Sequence, residues 1–190
     1  MNEMNISKIL DNIYSIPEQS KMLIADNVKE ISYPKGKLLM KADKVERNIY
    51  FIKKGIVRAY ADYEGSEITF WFGKEGDAIL SMKSYVSSEK GYENIELLED
   101  CELFELNGER LQKLFMADLY IANWGRKLAE KELVKTEERL ISRQFRSAAE
   151  RYRELINDQP DLIQRVQLGQ IASYLGITQV TLSRIRAEFR

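Results

Sequence analysis

Hydrophobic positions divide this chain into three stretches with different periods. Residues 1–30 have helical spacing and predict a helical cap, marked by Ile6, Ile9, Leu10 and Ile13 and then by Met22, Leu23 and Val28. From Ile31 to about Leu106, short runs rich in Val, Ile, Tyr, Phe and Leu alternate with turn residues such as Lys54-Gly55 and Glu64-Gly65. Many short strands with no long helix between them predict a sandwich or barrel.

The third stretch, from Asn107 onward, is helical. Asn107 predicts an N-cap, and the run from about Met116 to Thr136 contains no Pro and one Gly. This long helix carries a weak heptad seam, made of Ala122, Arg126, Ala129, Leu133, Thr136 and Leu140. Such a face packs either on the helix's own domain or on a second copy of the chain. A further helix is predicted from Ile141 to Leu155, and Pro160 follows its end.

Composition excludes several kinds of chemistry. Among 190 residues, 29 Lys and Arg nearly balance 30 Asp and Glu, so only a local basic patch can attract nucleic acid. The absence of His excludes His-based catalytic triads and His-ligated zinc, iron or haem. Because Cys101 is the only cysteine, an intramolecular disulfide and an all-cysteine metal cluster within one chain are excluded too. We therefore predict no catalytic residue, metal or cofactor, and interpret Cys101 as a small buried hydrophobic side chain.

No part of the sequence predicts contact with a membrane. No stretch approaches the ~20 apolar residues of a membrane span. The first ten residues, MNEMNISKIL, lack the apolar run of a signal peptide. We expect a cytoplasmic protein.

Residues 168–190, LGQIASYLGITQVTLSRIRAEFR, form the most specific segment of the chain. They fit a helix-turn-helix template at Ile171, Ala172, Leu175, Gly176, Ile177, Leu182 and Ile185. Ala172 allows close approach of the two helices, and Gly176 gives the turn its backbone freedom. Thr178 is a suitable N-cap for the second helix.

This core leaves the other positions of the second helix exposed. We predict that these positions contact DNA, namely Thr178, Gln179, Val180, Thr181, Ser183, Arg184 and Arg186. Gln pairs with the adenine edge and Arg with guanine O6 and N7, while small hydroxyls suit phosphate oxygens. Arg184 is either a base contact or a phosphate contact. Residues 166–190 hold three Arg against Glu188, a net charge of 3 − 1 = +2.

A strand-rich front half, a long helix and a C-terminal helix-turn-helix together resemble the cAMP receptor protein/FNR (Crp/Fnr) family of bacterial transcription regulators. The resemblance covers nearly the whole chain. It is strongest in SAAERYRELINDQP (147–160) and IASYLGITQVTLSRIR (171–186), which resemble the shorter members from Bacteroidetes-type bacteria. NIYFIKKGIVRAY (48–60) and FWFGKEGDAI (70–79) are typical of a cyclic-nucleotide-binding-type β-roll. In the family, the base-reading positions fall on Gln179, Val180 and Arg184.

The resemblance implies an α+β fold. Its parts are an N-terminal double-stranded β-helix (a cyclic-nucleotide-binding-like jelly roll) with a helical cap, residues 1–115; a long dimerisation helix, 116–140; and a C-terminal winged-helix-type helix-turn-helix, 141–190. The implied function is regulation of transcription by a homodimer bound to double-stranded DNA, with RNA polymerase as a further candidate partner. The sequence stops directly after the recognition helix, where many members continue into a β-hairpin wing. The wing is either absent in this subgroup or missing from a shortened sequence.

The family's phosphate cassette is degenerate in this chain. The cassette needs Gly-Glu-Leu at the start of a short helix and an Arg that neutralises the phosphate. Leu80, Ser81 and Met82 occupy the first three positions, and Gly91 and Tyr92 occupy the Arg-Ser positions. Because a buried phosphate without a matched cation is costly, we expect no binding of cAMP or cGMP in the family's usual mode.

The roll is then either an inactive sensor or a site for an unidentified small-molecule effector. Candidate pocket residues are Trp71, Leu80, Ser81, Met82, Lys83, Tyr85 and Tyr92. Core packing is the simpler explanation for Trp71 and Phe72.

Two other functions compete with this interpretation. A cupin-type metalloenzyme would need two or three His ligands, which the sequence lacks. The acidic run Glu93, Glu96, Glu99, Asp100 and Glu102 is interpreted as solvated strand faces and loops. The alternative is a ligand-binding signalling module that docks a protein through its helical C-terminal region. Such a module would combine an intact cassette with a degraded helix-turn-helix, and this sequence has the reverse.

Overall fold

The computed structural model describes residues 4–189, and the helices and strands below are those of that range. Two helices come first, α1 (Ile6–Ile13) and α2 (Glu18–Ala25). The strands are β1 (Val28–Tyr33), β2 (Leu38–Met40), β3 (Asn48–Lys54), β4 (Val57–Tyr63), β5 (Ser66–Gly73), β6 (Ala78–Ile79), β7 (Asn94–Leu97) and β8 (Cys101–Asn107), with α3 (Met82–Ser87) between β6 and β7. The remaining helices are α4 (Gly108–Ala117), α5 (Leu119–Phe145), α6 (Ala148–Asp158), α7 (Pro160–Arg165), α8 (Leu168–Leu175) and α9 (Gln179–Glu188).

The strands form two four-stranded antiparallel sheets, in the orders β1-β8-β3-β6 and β2-β7-β4-β5. Alternate side chains of β3 serve two different cores. Tyr50 and Ile52 pack between the sheets, whereas Ile49 and Phe51 pack against the helices on the other side. Both faces of the first sheet are therefore buried, and the predicted jelly roll, called the β-roll below, is confirmed.

The predicted helical cap is confirmed as well. The indole Nε1 of Trp124 in α5 donates to the carbonyl of Leu10 at 3.1 Å, and its ring meets Phe51 edge-on at 6.1 Å between centroids. The prediction that Val28 belongs to the second cap helix is wrong, because Val28 begins β1 and pairs with Leu106 of β8.

One long helix, α5, connects the β-roll to the C-terminal helices. It begins where the Asp118 carboxylate accepts hydrogen bonds from the amides of Tyr120 and Ile121, at 2.7 and 3.0 Å. It ends at Phe145, five residues beyond the predicted end of the dimerisation helix. Asn107 caps α4 as predicted, by accepting from the amide of Arg110 at 3.1 Å.

The prediction of a single helix from Ile141 to Leu155 is wrong. The helical path breaks at Arg146, and α6 begins after Ser147 with a capping box. The Ser147 hydroxyl accepts from the amide of Glu150, and the Glu150 carboxylate accepts from the amide of Ser147. These bonds satisfy amides that a continuous helix would have bonded in its own ladder.

Helices α6 to α9 share one apolar core, which also includes Ile56, Phe72 and Leu98 of the β-roll. Helix α6 ends at Asp158, just before Pro160 as predicted. Pro160 itself occupies the first turn of the next helix, α7, where its missing N–H costs nothing. The C-terminal helices therefore pack directly on the β-roll.

Candidate nucleic-acid interface

Helices α8 and α9 form the predicted helix-turn-helix. Gly176 between them has φ of +68°, a left-handed conformation that favours glycine. The amide of Ile177 then bonds to the carbonyl of Ala172 at 3.0 Å. Thr178 caps α9 as predicted, since its hydroxyl accepts from the amide of Thr181 at 3.1 Å. The turn and the start of the second helix are thus fixed by local bonds.

Five of the predicted core positions of this motif are buried, and they are Ile171, Ala172, Leu175, Leu182 and Ile185. The sixth, Ile177, is half-buried and packs against the same core. Arg151 of α6 closes the end of α8, because its guanidinium donates to the carbonyl of Leu175 from Nε at 3.2 Å and from Nη2 at 2.9 Å. A buried core and a closed helix end hold α9 in a defined orientation.

The predicted DNA-contacting face of α9 is exposed to solvent. Gln179, Val180 and Arg184 are all exposed, and Val180 keeps 63% of its surface accessible. The side chains of Gln179 and Arg184 make no hydrogen bond or ion pair with any other residue in the range 4–189. Arg186 is half-buried. This face therefore presents free donors and acceptors to an external partner.

The hydroxyls of the same surface are engaged locally. The hydroxyl oxygens of Thr178 and Thr181 lie 2.9 Å apart, and the Ser183 hydroxyl donates to the carbonyl of Gln179 at 3.0 Å. A hydroxyl has a single proton, so Ser183 must rotate away from that carbonyl before it donates to a phosphate oxygen.

Helix α8 docks on β5, which is the edge strand of the second sheet. The Ser173 hydroxyl accepts from the amide of Thr69 at 2.9 Å and donates to the carbonyl of Glu67 at 2.8 Å. The rings of Phe72 and Tyr174 meet at 5.2 Å between centroids. Ser173 thus satisfies edge groups that a further strand would otherwise pair.

A clamp of three charges joins α7 to the β-roll, and it consists of Arg165, Glu75 and Glu99. The Arg165 guanidinium donates to both carboxylates, at distances of 2.6 to 3.2 Å. Burial raises the pKa of Glu75, but hydrogen bonds from Arg165 and from the amide of Gly55 outweigh burial, so this pKa lies below its ordinary value. The same pairing has the opposite effect on the cation, because hydrogen bonds to Glu99 and Glu75 raise the pKa of the Arg165 guanidinium.

Neither this clamp nor the Ser173 contact was predicted from the sequence. Arg165 is separated from Glu99 by 66 residues and from Glu75 by 90. No local periodicity connects such positions, so only the tertiary structure identifies them.

Most of the heptad seam of α5 is exposed. Ala122 is half-buried, whereas Arg126, Ala129, Leu133, Thr136 and Leu140 are exposed. Leu133 and Leu140 keep 69% and 57% of their surface accessible. By contrast, Ile121 and Trp124, which lie on another side of α5, are fully buried in the core that the helical cap shares. The two sides of α5 therefore face different surroundings.

Polar side chains at and beside the cassette positions bond within α3 and the loop that follows it. The Ser81 hydroxyl donates to that of Ser84 at 3.1 Å, and Lys83 pairs with Glu89 at 3.1 Å. Leu80 packs on the helical core, whereas Met82 is exposed.

Glu93 is buried beside these residues, so its interpretation as a solvated residue is wrong. It is 6% exposed, and its Oε2 accepts from the amide of Tyr92 at 3.0 Å. A Cβ placed on Gly91 would lie 3.2 Å from both Glu93 oxygens and 2.6 Å from the Ser81 hydroxyl. A carboxylate therefore fills the space next to the position where the family's cassette has its Arg.

Other members of the acidic run pair with cations. Glu96 pairs with the buried Arg58 at 3.1 Å, and Glu102 pairs with Lys53 at 3.3 Å. Asp100 accepts from the amide of Lys35. The run is thus a set of ion pairs and turn contacts.

Three of the candidate pocket residues lie in different surroundings. Trp71 packs on the inter-sheet core and also lines a cleft beside β5. Tyr85 packs on the helical core, accepts from Gln112 at 2.8 Å, and lines a separate cleft of about 220 Å³. Tyr92 is largely exposed, with its ring 6.0 Å from that of Phe70. The effector pocket remains a prediction.

The chemistry of Cys101 agrees with its predicted role. Cys101 is buried between the sheets, and burial raises the pKa of its thiol to about 11. Within residues 4–189, no three His, Cys, Asp or Glu side chains come together as a metal site. In the same range, no helix combines the length and apolar character required to cross a bilayer.

Comparison with known proteins supports both halves of the fold. Residues 30–118 match the family described as the cyclic nucleotide-binding domain. A search of curated protein sequences finds no match. The resemblance stated above is thus confirmed for the domain and, by the structures that follow, for the fold.

Three solved structures share this fold across both domains. FixK2 from Bradyrhizobium japonicum has a TM-score of 0.71 and 21% identity over 85% of this chain and 83% of its own. The c-di-GMP responsive global regulator CLP from Xanthomonas campestris has 0.71 and 18% over 91% of each chain. A protein assigned to the crp/fnr family of transcriptional regulators from Eubacterium rectale has 0.72 and 20% over 94% and 87%. At identities this low, the structural similarity establishes the fold alone.

Proposed function

We propose that this chain is a sequence-specific DNA-binding transcription regulator of the Crp/Fnr type that acts as a homodimer. In this proposal, each α9 enters a major groove of double-stranded DNA. Two copies contact half-sites about one helical turn apart. The protein has no catalytic role, works in the bacterial cytoplasm, and has RNA polymerase as a candidate partner.

The observation that carries the proposal is the free polar face of α9. Gln179 and Arg184 are exposed and have no intramolecular partner in the described chain, although the helix beneath them is held by a buried core. The geometry suits bidentate contacts from Arg to guanine and from Gln to adenine. Val180 lies between them and suits apolar contact with a thymine methyl group.

Salt dependence of DNA binding tests the proposal directly. Affinity for duplex DNA, measured by fluorescence anisotropy, should fall steeply with salt, because each neutralised phosphate releases a counterion. The double variant Gln179→Ala with Arg184→Ala should lose preference among sequences. A matched control is Arg110→Ala on α4, an exposed Arg outside the helix-turn-helix. Equal binding by both variants would contradict the assigned interface.

The seam of α5 is the proposed dimer interface. It is supported by the exposed Leu133 and Leu140, which are seven residues apart and face the same side of the helix. Leu133→Glu with Leu140→Glu should convert the dimer to a monomer in analytical ultracentrifugation. Val134→Glu is the control, because Val134 is also an exposed apolar residue and lies on another side of α5. Dimers that survive the double variant would place the interface elsewhere.

The effector of this regulator is proposed not to be cAMP. Binding of the cyclic phosphate in the family's mode would place it near the buried Glu93 carboxylate, with Gly91 where the family's Arg stands. Burial of two anions together without a cation is strongly unfavourable. The rival function, a module that docks a protein through its C-terminal helices, predicts no preference for any DNA sequence.

A further inference from the structure

A cleft of about 650 Å³ separates the β-roll from part of the C-terminal helical region. Its walls come from β5 and the turn after it, from the last third of α5, and from α6 and the end of α8. This volume falls within the range of sites that hold small organic ligands. Within the cassette region, residues 80–92, no residue lines the cleft.

Charge in the cleft differs in sign from the charge of the whole chain. Six Lys and Arg side chains line it against four Asp and Glu side chains, an excess of 6 − 4 = 2 positive charges in a chain of net charge −1. Some of these charges already pair across the cleft. Lys135 pairs with Asp77 at 3.5 Å, and Arg146 pairs with Glu154.

Arg139 and Arg143 lie side by side on α5, and no carboxylate of the described chain neutralises their charge. They are four residues apart and share a face of α5. Within residues 4–189, neither has a carboxylate at ion-pair distance. The two unpaired carboxylates of the cleft, Glu138 and Asp158, are exposed, and they would repel an anion placed next to them. Lys74 and Arg151 also line the cleft without an ion pair in the described range, but Arg151 already donates to the carbonyls of Arg146 and Leu175. Arg139 and Arg143 are therefore the adjacent pair of guanidinium groups best placed to hold an anion.

Both arginines also contact the helix-turn-helix. Arg139 donates to the Thr136 hydroxyl at 3.2 Å and interacts with the hydroxyl of Tyr174 in α8. Arg143 lies against the turn, since a Cβ placed on Gly176 would be 3.2 Å from its Nη2. A guanidinium has five N–H donors, so each arginine keeps donors free for a ligand.

Aromatic side chains from two other elements line the same cleft. Trp71 and Phe72 come from β5, and Tyr174 comes from α8. Flat aromatic faces next to guanidinium groups suit a planar ring, which gains from stacking and from cation–π attraction.

We propose that this cleft binds a small anion that carries a flat aromatic ring. The anionic group contacts Arg139 and Arg143, and the ring lies against Trp71 and Tyr174. Nucleotides and aromatic carboxylates share this chemistry. Because the walls belong to both domains, such a ligand bridges the β-roll and the helix-turn-helix and stabilises their docked arrangement.

The proposed dimer seam and the cleft lie mainly on different sides of α5. Positions 135, 138, 139, 141, 142 and 143 line the cleft, whereas 133, 136 and 140 belong to the seam. With 100° per residue, five of the six cleft positions lie at least about 60° from every seam position, and position 143 lies about 20° from 136. A second copy on the seam therefore approaches the cleft on the side of Arg143.

Tryptophan fluorescence of the full chain tests the proposal. The chain has two tryptophans, and Trp71 lines the cleft whereas Trp124 is fully buried in the helical core. The probes are AMP and benzoate, which each combine an aromatic ring with a negative charge. The controls are adenosine, which has the ring but no charge, and inorganic phosphate, which has the charge but no ring. We expect saturable quenching by AMP or benzoate and weaker effects from the other two. Trp71→Phe should abolish the fluorescence change, while calorimetry still detects binding.

Substitution of Arg139 and Arg143 tests whether these two side chains bind the anion. Arg139→Gln with Arg143→Gln should raise the dissociation constant at least about tenfold, because charge-assisted bonds to the anion are lost. Arg110→Gln, outside the cleft, should leave it unchanged. Quenching by AMP alone identifies a nucleotide ligand, and quenching by benzoate alone identifies an aromatic carboxylate.

Two results would overturn the proposal. One is the absence of binding by either probe up to about 5 mM, a concentration that exceeds the weakest useful affinities. The other is binding that the double variant leaves unchanged. The assay contains no DNA, so its failure leaves the proposed regulator function untouched, and failure of DNA binding leaves this site untouched.

Discussion

Around α3 and the loop that follows it, polar side chains bond within the molecule, whereas on α9 two long polar side chains face solvent. Ser81 bonds to Ser84, Lys83 pairs with Glu89, and Glu93 accepts from the backbone. Gln179 and Arg184 have no such bond in residues 4–189. The polar groups around α3 are therefore already bonded, whereas those of Gln179 and Arg184 are available to an external partner.

The difference matters because a ligand gains little from polar groups that are already bonded. Breaking an internal bond costs about as much as the new bond returns, so a satisfied site discriminates poorly. A free donor on a rigid helix gives up only its hydrogen bond to water when it binds a ligand. We therefore expect α9 to bind an external partner and the cassette region not to bind the ligand of its family.

The largest expected effect concerns the core that supports α9. Leu182→Ala should lower the free energy of unfolding of the C-terminal helices by about 2–5 kcal/mol, because Leu182 is fully buried and a cavity remains. Val180→Ala, on the exposed face of the same helix, should change it by less than about 0.5 kcal/mol. Urea denaturation followed by circular dichroism measures both. Equal losses would show that α9 has no buried side.

The clamp between the domains should have the next largest effect. Arg165→Ala leaves Glu75 and Glu99 half-buried without a cation, and should cost about 1–3 kcal/mol of stability. Lys54→Ala is the control, since Lys54 is exposed and lies 3.9 Å from its nearest carboxylate. If denaturation gives the same stability for both variants, the clamp does not hold the domains together.

Acid should weaken the same clamp. The pKa of Glu75 is lower in the folded state than its ordinary value of 4.5. As the pH falls, the unfolded chain therefore takes up a proton at Glu75 before the folded chain does. The ionised Glu75 contributes its full share of the folding stability above about pH 4.5, and this share is lost as the pH falls below that value. In Arg165→Ala this part of the acid sensitivity should disappear. A pH series of denaturation curves for both proteins checks the sign.

A comparable effect is expected for one base contact on α9. Arg184→Ala should cost about 1–3 kcal/mol of binding at a single base pair and relax specificity there. Binding curves for a set of single-base variants of the operator measure this loss. If the variant weakens binding to every sequence equally, Arg184 contacts a phosphate instead.

The smallest expected effect is that of cAMP. The cassette is tested apart from the cleft in the variant Arg139→Gln with Arg143→Gln. In this variant, cAMP at up to about 1 mM should change DNA affinity by less than about twofold, because a ligand without a binding site shifts no equilibrium. Anisotropy titrations with and without cAMP measure the ratio. Micromolar cAMP binding that shifts the DNA affinity of this variant would show that the buried Glu93 does not block the cassette.

Sequence predicted those parts of the molecule in which the cause is local. The left-handed Gly176, the cap at Thr178 and the spacing of Ile171, Leu175 and Leu182 each depend on a few neighbouring residues. The strands of the β-roll were predictable for the same reason, because alternation and turn residues act over short distances. The capping box at Ser147 was also local, yet it was missed because apolar spacing continued through the break.

The contacts between the domains were not predictable in this way. Arg165, Glu75 and Glu99 come together from three separate segments, and Ser173 meets the edge of β5 from 104 residues away. The burial of Glu93 has the same origin, since a short acidic run has no local sign of which member turns inward. Such features depend on how the β-roll and the helices pack.

Selection of bound duplexes from a random DNA pool, with purified protein and no added ligand, tests the central claim most directly. We expect a palindromic motif whose half-sites are separated by about 10 base pairs, the spacing of two recognition helices in successive major grooves. The variant Gln179→Ala with Arg184→Ala, run in parallel, should lose that motif. A pool with no enriched sequence, identical for the wild-type protein and the variant, would contradict the assignment of α9 as a sequence-specific recognition helix.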